Sequence, residues 1–392
     1  MRIRPSWLHA KRLPIAWLLL LRFPRKFITA VAGIIFATVL ILSQLGLRAA
    51  LFDSSVSIFK NLNADLVVIN RSSIGSLSLL PFQNSRLKIF DRYPEVAHTA
   101  PMRYSFVRWR FHDADEVRPA IMVGYDPRIP TFNQEDILNQ QSSLLLPGRI
   151  LFDELSRKEF GPRKSKFKSQ QPDLAFVNYQ RVRVAGFVRI GVSFSYDACF
   201  LASLPTFEAI SYDIPGRVEI GLVKLNPGID AGTFLMQIKN DIPEDVRVFR
   251  KQDFLEFEKQ YWDQSKPIGF VFFFNSVLGF IVGLTIFYQI LYTDVVNQLP
   301  AFSMMLALAH TQLRLRLIVF QESFYLAAIG YPVGVLLCSG VFQVINASTG
   351  LDVKITIDRA IICFLVIVLM STCSALMAML KLDDANPIEV FE

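Results

Sequence analysis

The side chains that most often do chemistry in proteins are few in this chain and lie far apart. No glycine is followed by lysine, so the phosphate-binding loop of ATPases is absent. Ser165 precedes Lys168 at a nucleophile-like spacing, but the stretch is polar and basic, and nothing there would desolvate the lysine. The four histidines are scattered, and no C-x-x-C or H-E-x-x-H spacing occurs. We therefore expect neither an enzyme nor a metal or cofactor site in the chain itself.

The stretch Pro267–Thr293 is the element around which the rest of the chain must be organised. It is 27 residues long and carries no charged side chain. At about 1.5 Å per residue, a helix of this length reaches roughly 40 Å, enough to cross a bilayer core of about 30 Å. The stretch predicts a membrane-spanning helix, so the function must be organised across a membrane.

Four apolar stretches divide the chain into membrane and aqueous segments. The first apolar stretch is too long for the core of a signal peptide, which favours an uncleaved anchor. The predicted segments are 1–26 (cytoplasmic basic or interfacial helix), 27–47 (first span), 48–266 (periplasmic α+β domain with stalk helices), 267–293 (second span), 294–316 (cytoplasmic loop with a coupling helix), 317–351 (third span), 352–359 (short periplasmic loop), 360–380 (fourth span) and 381–392 (cytoplasmic tail). The predicted fold class is a membrane protein with four transmembrane α-helices and a large α+β periplasmic domain inserted between helices 1 and 2.

The charge distribution sets the orientation of these spans. The net charge is +7, and residues 1–26 hold seven basic side chains and no acidic one, which leaves 34 basic against 34 acidic in the rest. A basic cluster before the first span predicts a cytoplasmic N-terminus, and its arginines are expected to face anionic membrane lipid. Counting spans makes the C-terminus cytoplasmic as well. Because the excess charge is confined to this end, it does not indicate nucleic-acid binding.

The spans carry two further signals. The G-x-x-x-G spacings at Gly279/Gly283 and Gly330/Gly334 are typical of helix contact or of dimerisation, and the sequence leaves both open. The third span is free of charge from Ser323 to Leu351. The absence of charged residues inside the spans argues against an ion-coupled transporter with a buried proton relay.

The sequence of the large domain predicts a mixture of strands and helices. Runs rich in β-branched and aromatic residues predict strands, and helical stretches lie between them. The predicted strands are 64–69, 104–111, 117–124, 181–190 and 218–225, and the helical stretches lie around 85–93 and 230–240. The pattern is α+β, with two similar subdomains as one arrangement. Since Cys199 is the one cysteine outside the apolar segments, the domain has no disulfide of its own.

Two apolar stripes border this domain where it leaves the spans. The first follows the first span and comprises Leu51, Ile58 and Leu62; the second precedes the second span and comprises Phe254, Phe257 and Tyr261. An apolar stripe in water is unfavourable by about 25 cal/mol per Å², so the two stripes are predicted to bury each other as a stalk. The alternative is that each stripe packs on its own domain.

Several stretches resemble one family over nearly the whole chain. They are LPIAWLLLLR (Leu13–Arg22), QLGLRAALFDSSV (Gln44–Val56), ADLVVI (Ala64–Ile69) with LLPF (Leu79–Phe82), the long run Lys259–Pro300 that ends YQILYTDVVNQLP, and LDDANPIEVF (Leu382–Phe391). The layout of one span, a large outside domain and three further spans resembles the FtsX/MacB-like ABC permeases. Within them, the residues resemble the DevC-type permease of a DevBCA exporter.

The resemblance implies a set of partners and a mode of action. It implies a homodimeric permease in the bacterial inner membrane, a separate cytoplasmic ABC ATPase subunit that binds the ATP, a periplasmic membrane-fusion adaptor and a TolC-like outer-membrane duct. In this class the permease transmits ATP-driven motion to the periplasmic domain and does not pass substrate between its own helices. A glycolipid or another hydrophobic substrate is what the family suggests.

The predicted coupling helix departs from the family pattern. Members usually read approximately LPEYATLKAMGY where this chain has LPAFSMMLALAH (Leu299–His310), so Ala301, Leu306 and Ala309 replace a glutamate, a lysine and a glycine. An apolar run in a loop that should be polar favours docking in an ATPase groove, and the alternative is a run that lies in the membrane interface. The predicted ATPase-coupling residues are Phe302, Met304, Met305, Leu306, Leu308 and His310.

Two other functions fit the same layout. One is a related mechanotransmission permease that does not export a small molecule, such as an FtsX-like regulator of a wall hydrolase or a lipoprotein-release permease. The other is a membrane receptor with an extracytoplasmic sensor domain, against which the lack of a cytoplasmic output domain counts.

Overall fold

The chain forms two compact units. The computed structural model describes residues 15–22, 24–111, 116–161, 174–191, 193, 195–211, 214–264, 267–308 and 311–382. The helical unit comprises residues 1–49, 271–347 and 353–392, and the α/β unit comprises residues 50–270 and 348–352. The predicted basic N-terminus up to residue 14, the polar and basic stretch that contains Ser165 and Lys168, and the tail from residue 383 lie outside the described residues.

Ten α-helices lie in the described part of the chain. Four of them are long and apolar enough to cross a membrane, which makes the chain a multi-pass membrane protein: these are α2, α8, α9 and α10 in the following list. The helices are α1 (Ile15–Arg22), α2 (Pro24–Ser55), α3 (Ser57–Lys60), α4 (Glu135–Leu138), α5 (Leu204–Ser211), α6 (Ala231–Gln237), α7 (Lys251–Gln264), α8 (Pro267–Ala307), α9 (Gln312–Thr349) and α10 (Ile357–Leu382).

The membrane helices are longer than the apolar stretches that predicted them. Helix α8 continues to Ala307 and α9 begins at Gln312, so most of the predicted loop 294–316 is helical. Methionine, leucine and alanine at the end of α8 are good helix formers, and the helix continues through Pro300. As a result, the predicted coupling helix is the last part of α8, and Glu322 lies within α9. Glu322, which directly precedes the charge-free stretch of the third span, is therefore part of a helix long enough to cross a membrane.

The glycine pair of α9 allows close packing on α2. A Cβ atom added at Gly330 would lie 2.6 Å from the Ile34 side chain, and one added at Gly334 would lie 2.6 Å from the side chain of Thr38. Only glycine lets two helix backbones approach to this distance. The G-x-x-x-G spacing was compatible with helix contact or with dimerisation, and the structure shows helix contact within the chain.

The α/β unit is built on one nine-stranded sheet. Its strands follow the order β11-β1-β10-β3-β4-β8-β5-β7-β6, with β4–β8 and β5–β7 parallel and the other pairs antiparallel, and β2 and β9 form a separate two-stranded sheet. The strands are β1 (Leu66–Asn70), β2 (Phe82–Gln83), β3 (Val96–Phe111), β4 (Arg118–Tyr125), β5 (Arg149–Asp153), β6 (Leu174–Val177), β7 (Gln180–Val188), β8 (Cys199–Ser203), β9 (Arg217–Val218), β10 (Ile220–Leu225) and β11 (Val246–Arg250). The predicted fold class, four membrane helices with a large α/β domain after the first, is confirmed.

Buried side chains on both faces of the sheet hold the unit together. On one face, the ring of Trp109 lies 5.0 Å from that of Phe152 and 5.3 Å from that of Phe200, and the indole Nε1 donates to the Phe160 carbonyl oxygen at 3.0 Å. A buried indole needs such an acceptor. On the other face, the cluster that contains Ile58 also receives side chains from α7. The sheet is thus the scaffold for both predicted stalk segments.

Candidate coupling segment and stalk

The end of α8 carries the predicted ATPase-coupling residues on two faces. The side chain of Phe302 is buried in the helical unit, whereas Met304 is 60% exposed and Leu308, just past the end of the helix, is 70% exposed. Met305 and Leu306 are half-buried, and His310 lies outside the described residues. Positions 304 and 308 are one helical turn apart, so their apolar side chains lie on the same side.

The buried face of this segment fixes the direction of the exposed one. Phe302 is 1% exposed, so rotation of the segment about its axis would pull a large ring out of its packing. The arrangement can therefore present Met304 and Leu308 in a defined orientation. Chemically, it offers an apolar contact and no charge, because alanine and leucine stand at Ala301 and Leu306.

An ion pair joins the two segments that carry the stalk stripes. Lys259 of α7 places its Nζ 3.0 Å from Oδ1 of Asp53, at the end of α2, and Lys60 of α3 places its Nζ 3.2 Å from the same oxygen. All three side chains are partly exposed, so the free energy that each pair contributes is small, at most about 1 kcal/mol. The pairs align the two segments and contribute little to stability.

Aromatic packing continues the contact next to these pairs. The rings of Phe59 and Phe254 meet edge to face with centroids 5.2 Å apart, and Phe257 stacks on Phe249 at 5.1 Å. Of the predicted stalk residues, Ile58, Leu62, Phe254 and Tyr261 are buried, and Leu51 and Phe257 are half-buried. Residues of both stripes belong to one core cluster that also contains residues of the sheet. The stripes therefore pack against each other and also against the domain, which are the two arrangements that the sequence left open.

A half-buried lysine closes the far end of the contact. The Nζ of Lys251 donates to the carbonyl oxygen of Lys60 at 2.9 Å and to that of Leu62 at 2.6 Å. Residues 53, 59 and 60–62 thus face residues 259, 254 and 251 in turn, which is an antiparallel register. The structure brings the two predicted segments together within the α/β unit; a role in transmitting motion stays a prediction.

One residue of α7 that sequence reasoning missed is a buried carboxylate. Glu258 is fully buried, and its Oε2 accepts a hydrogen bond from the backbone nitrogen of Ser76 at 2.9 Å. Burial raises the pKa of the Glu258 carboxyl to about 7, against hydrogen bonds from Ser76 that lower it. Its position three residues before Tyr261 placed it beside the apolar stripe, but the sequence alone did not show that the neighbouring loop would cover it.

No protein-family model matches the chain, and no curated protein matches it. Among solved structures, the chain is similar to the periplasmic region of MacB from Actinobacillus actinomycetemcomitans, with 13% identity and a TM-score of 0.36 over 51% of this chain and 93% of that one. It is also similar to the extracellular domain of the noncanonic ABC-type transporter YknZ from Gram-positive bacteria, with 12% identity and a TM-score of 0.31 over 48% of this chain and 100% of that one. A third similar structure is a domain of a putative permease from Porphyromonas gingivalis, with 14% identity and a TM-score of 0.32 over 47% of this chain and 89% of that one.

Proposed function

We propose that the chain is the permease subunit of a tripartite ABC exporter. In this function it transmits the ATP-driven motion of a separate ATPase to its large outside domain. The observation that carries the proposal is the continuity of α8, which is a single helix from Pro267 to Ala307. Because the candidate docking residues and a membrane span belong to one helix, a displacement at the docking end is passed to the span along the helix, with Pro300 as the one point where a backbone hydrogen bond is missing.

The exposed apolar face at the end of α8 supports docking of a partner. Met304 and Leu308 are exposed and Phe302 anchors the segment from behind. Insertion of an apolar helix face into a groove is a recurring mode of recognition. In this chain the contact is apolar where the related permeases carry charges, so the partner ATPase is expected to offer an apolar groove.

The stalk contact supports a route for the motion on the other side of the membrane. The chain enters the α/β unit at the end of α2, where Asp53 pairs with Lys259 of α7. Helix α7 ends at Gln264, three residues before α8 begins at Pro267. Two packed segments that lead into two membrane helices are the candidate route by which a shift would reach the α/β unit.

The remaining parts of the proposal follow from the family resemblance. They are a homodimer in the bacterial inner membrane with both termini in the cytoplasm, surrounding membrane lipid, ATP bound by the partner ATPase and not by this chain, a periplasmic membrane-fusion adaptor on the α/β unit, and an outer-membrane TolC-like duct beyond it. The exported substrate is a glycolipid or another hydrophobic molecule. The resemblance to the DevC-type run Lys259–Pro300 supports this choice over the other ABC permeases.

Purification of the full chain from its native cell in mild detergent tests the proposal. We expect the wild-type chain to co-purify with a protein that contains a phosphate-binding loop and hydrolyses ATP, and Leu308→Asp to lose at least nine-tenths of it. A charge in an apolar groove is costly to desolvate, which is the physical reason for the loss.

Two matched controls make this result specific. Leu308→Met keeps the apolar contact and should retain the ATPase. Ile357→Asp introduces the same charge at an equally exposed apolar position, 79% exposed, beyond the other end of α9, and should retain it as well. Unchanged co-purification with Leu308→Asp, or no ATPase with the wild-type chain, would contradict the proposal.

A further inference from the structure

Part of the nine-stranded sheet closes into a barrel. The strand order β3-β4-β8-β5-β7-β6 is completed by a pairing of β6 with β3, so these strands form a ring. Side chains along a barrel strand point alternately inward and outward. The inward ones include Val107, Trp109, Ile150, Val177 and Val182, which belong to one core cluster. The residues next to them in these strands therefore point outward.

The outer surface of this barrel has a covered side and an uncovered side. On β4 and β8, the outward residues Ile121 and Leu201 belong to the core cluster that also contains Ile58 and Phe254 of the two stalk segments. In the ring, β7 lies opposite β4 and β6 lies opposite β8. On β6, β7 and the adjoining parts of β3 and β5, outward side chains are exposed or half-buried. We call six of them the arginine face: Arg108, Arg110, Arg149, Phe176, Arg181 and Arg183.

The strand register places these arginines side by side. Arg110 lies opposite Phe176, and Phe176 lies opposite Arg181. Arg183, two residues further along β7, lies opposite Arg149. Directly opposed side chains have their Cβ atoms about 5 Å apart, and like charges in such positions repel each other. The face therefore concentrates positive charge at a cost to the folded state.

The chain does not offset this charge with carboxylates of its own. Among the described residues, none forms an ion pair with any of the five arginines of the face. Arg103, earlier on β3, shows the contrast, because it is buried and paired with Glu219 at 2.9 Å. The arginines of the face thus keep their charge for a partner outside the part of the chain that the structure describes.

Aromatic side chains hold two of the guanidinium groups in place. The guanidinium carbon of Arg110 lies 4.6 Å from the centroid of the Phe176 ring. The Nη1 of Arg108 donates to the hydroxyl of Tyr179 at 3.2 Å, and Tyr179 itself is 74% exposed. Such contacts orient a guanidinium but leave its charge uncompensated. The face is therefore a preorganised surface of alternating positive charge and aromatic rings.

We propose that the arginine face binds the acidic surface of a partner protein. The four neighbouring strands β3, β6, β7 and β5 extend over roughly 14 Å at about 4.8 Å per strand, which is wider than a single carboxylate or phosphate. Arginine and aromatic residues are the side chains that protein interfaces favour. A lipid surface fits less well, because the face lies on the opposite side of the barrel from the cluster that contains the stalk segments. The inference stands whether or not the chain is an exporter permease, because it rests on the α/β unit alone.

Photo-crosslinking of a defined acidic probe to the full chain in detergent tests the proposal. The probe is a fluorescent poly-glutamate peptide, and the crosslinker p-benzoylphenylalanine replaces Phe106, which is 42% exposed and precedes Arg108 by two residues on the same side of β3. We expect a saturable crosslink at this position. Arg181→Glu combined with Arg183→Glu replaces attraction by repulsion and should weaken the crosslink at least about tenfold in peptide concentration.

Matched variants show whether the arginine face itself is responsible. Arg92→Glu combined with Arg217→Glu makes the same change at two exposed arginines elsewhere in the α/β unit and should leave the crosslink unchanged. The crosslinker placed at Met236, an exposed residue of α6, should not capture the peptide. Arg183→Gln relieves the repulsion from Arg149, so it should weaken the crosslink without lowering the unfolding midpoint. It is the main test if the double variant of the face does not fold.

Three results would overturn the proposal. The first is the absence of a crosslink at position 106, or a crosslink that the variants of the face retain at full strength. The second is a fall of several degrees in the unfolding midpoint of Arg183→Gln, which would make the arginine a structural residue. The third is binding of phosphatidylglycerol vesicles through Arg181 and Arg183 with no capture of the peptide, which would identify a lipid surface instead of a protein partner.

Discussion

Glu219 and Glu322 are both buried carboxyl groups, but Glu219 faces a positively charged side chain and Glu322 faces another carboxyl group. Glu219, in the α/β unit, accepts from Nε of Arg103 at 2.9 Å, from Nη2 of Arg103 at 3.1 Å and from the backbone nitrogen of Tyr104 at 3.0 Å. Glu322, in the helical unit, faces the carboxyl of Asp294 and keeps an unpartnered oxygen. The first carboxylate is fully satisfied within the chain, and the second is not.

The difference is whether the chain itself supplies the partner of a buried carboxyl group. The guanidinium of Arg103 supplies the charge and the bidentate geometry that a buried carboxylate needs, and it also lies 4.9 Å above the ring of Phe207. Glu322 has no such arrangement: among the described residues, none donates to its Oε1. Glu258 of α7 is an intermediate case, because hydrogen bonds from Ser76 are its main compensation.

Removal of the counter-charge from Glu219 is expected to have the largest effect. Arg103→Met leaves an uncompensated buried carboxylate, which costs about 3–5 kcal/mol. The midpoint of thermal unfolding of the α/β unit should fall by roughly 6–20 °C, as followed by tryptophan fluorescence of the full chain in detergent.

Two controls show whether the pairing or the arginine itself matters. Arg157→Met makes the same change in the exposed pair with Asp197, 2.8 Å apart, and should cost about 1 kcal/mol or less. The double variant Arg103→Met, Glu219→Leu removes both charges and should recover most of the loss. If Arg103→Met alone unfolds at the wild-type temperature, Glu219 does not depend on its partner and the comparison with Glu322 fails.

The intermediate case predicts a smaller effect that depends on pH. The pKa of Glu258 is about 7 in the folded chain, raised by burial, against about 4.5 for an exposed glutamate. The folded state therefore binds the proton more tightly, so the contribution of Glu258 to stability is most favourable below about pH 4.5 and is lost as the pH rises to about 7. Glu258→Gln, which stays neutral, should exceed the wild type in stability by about 2–3 kcal/mol at pH 8 and differ little at pH 4.5.

Unfolding midpoints of the wild type and of Glu258→Gln, measured in parallel between pH 4.5 and 8, test this expectation. Asp153, whose pKa burial raises to about 6, contributes equally to both proteins and so cancels in the difference. Parallel curves at all pH values would show that Glu258 is not strained when ionised.

The sequence predicted those helices and strands that a continuous run of residues identifies. Apolar length identified all four membrane helices, and β-branched runs identified β1, β3, β4, β7 and β10. Four strands of the main sheet were missed, namely β5, β6, β8 and β11. The strand β8, for example, is buried along its whole length, so it lacks the alternation by which a half-exposed strand is recognised.

The chemistry of the buried groups was less predictable, because it depends on contacts between distant residues. Arg103 and Glu219 are 116 positions apart, and only the pairing of β3 with β10 brings them together. Asp294 and Gln298 were assigned to a loop because a polar residue at the end of an apolar stretch resembles a boundary. The burial of Gln298 and the partial burial of Asp294 followed from the continuation of α8, which hydropathy alone does not reveal.

The central claim of the account is that ATP-driven motion reaches the α/β unit. It is tested most directly by a distance between the α/β units of two copies. Met236 of α6, an exposed residue, is replaced by cysteine and spin-labelled in a chain whose native cysteines are substituted, and the label-to-label distance is measured by electron paramagnetic resonance in the complex with the ATPase. We predict a shifted distance distribution when ATP is trapped with vanadate, and no shift in Leu308→Asp, in which we expect docking of the ATPase to be lost. An unchanged distribution in a complex that hydrolyses ATP would contradict the account.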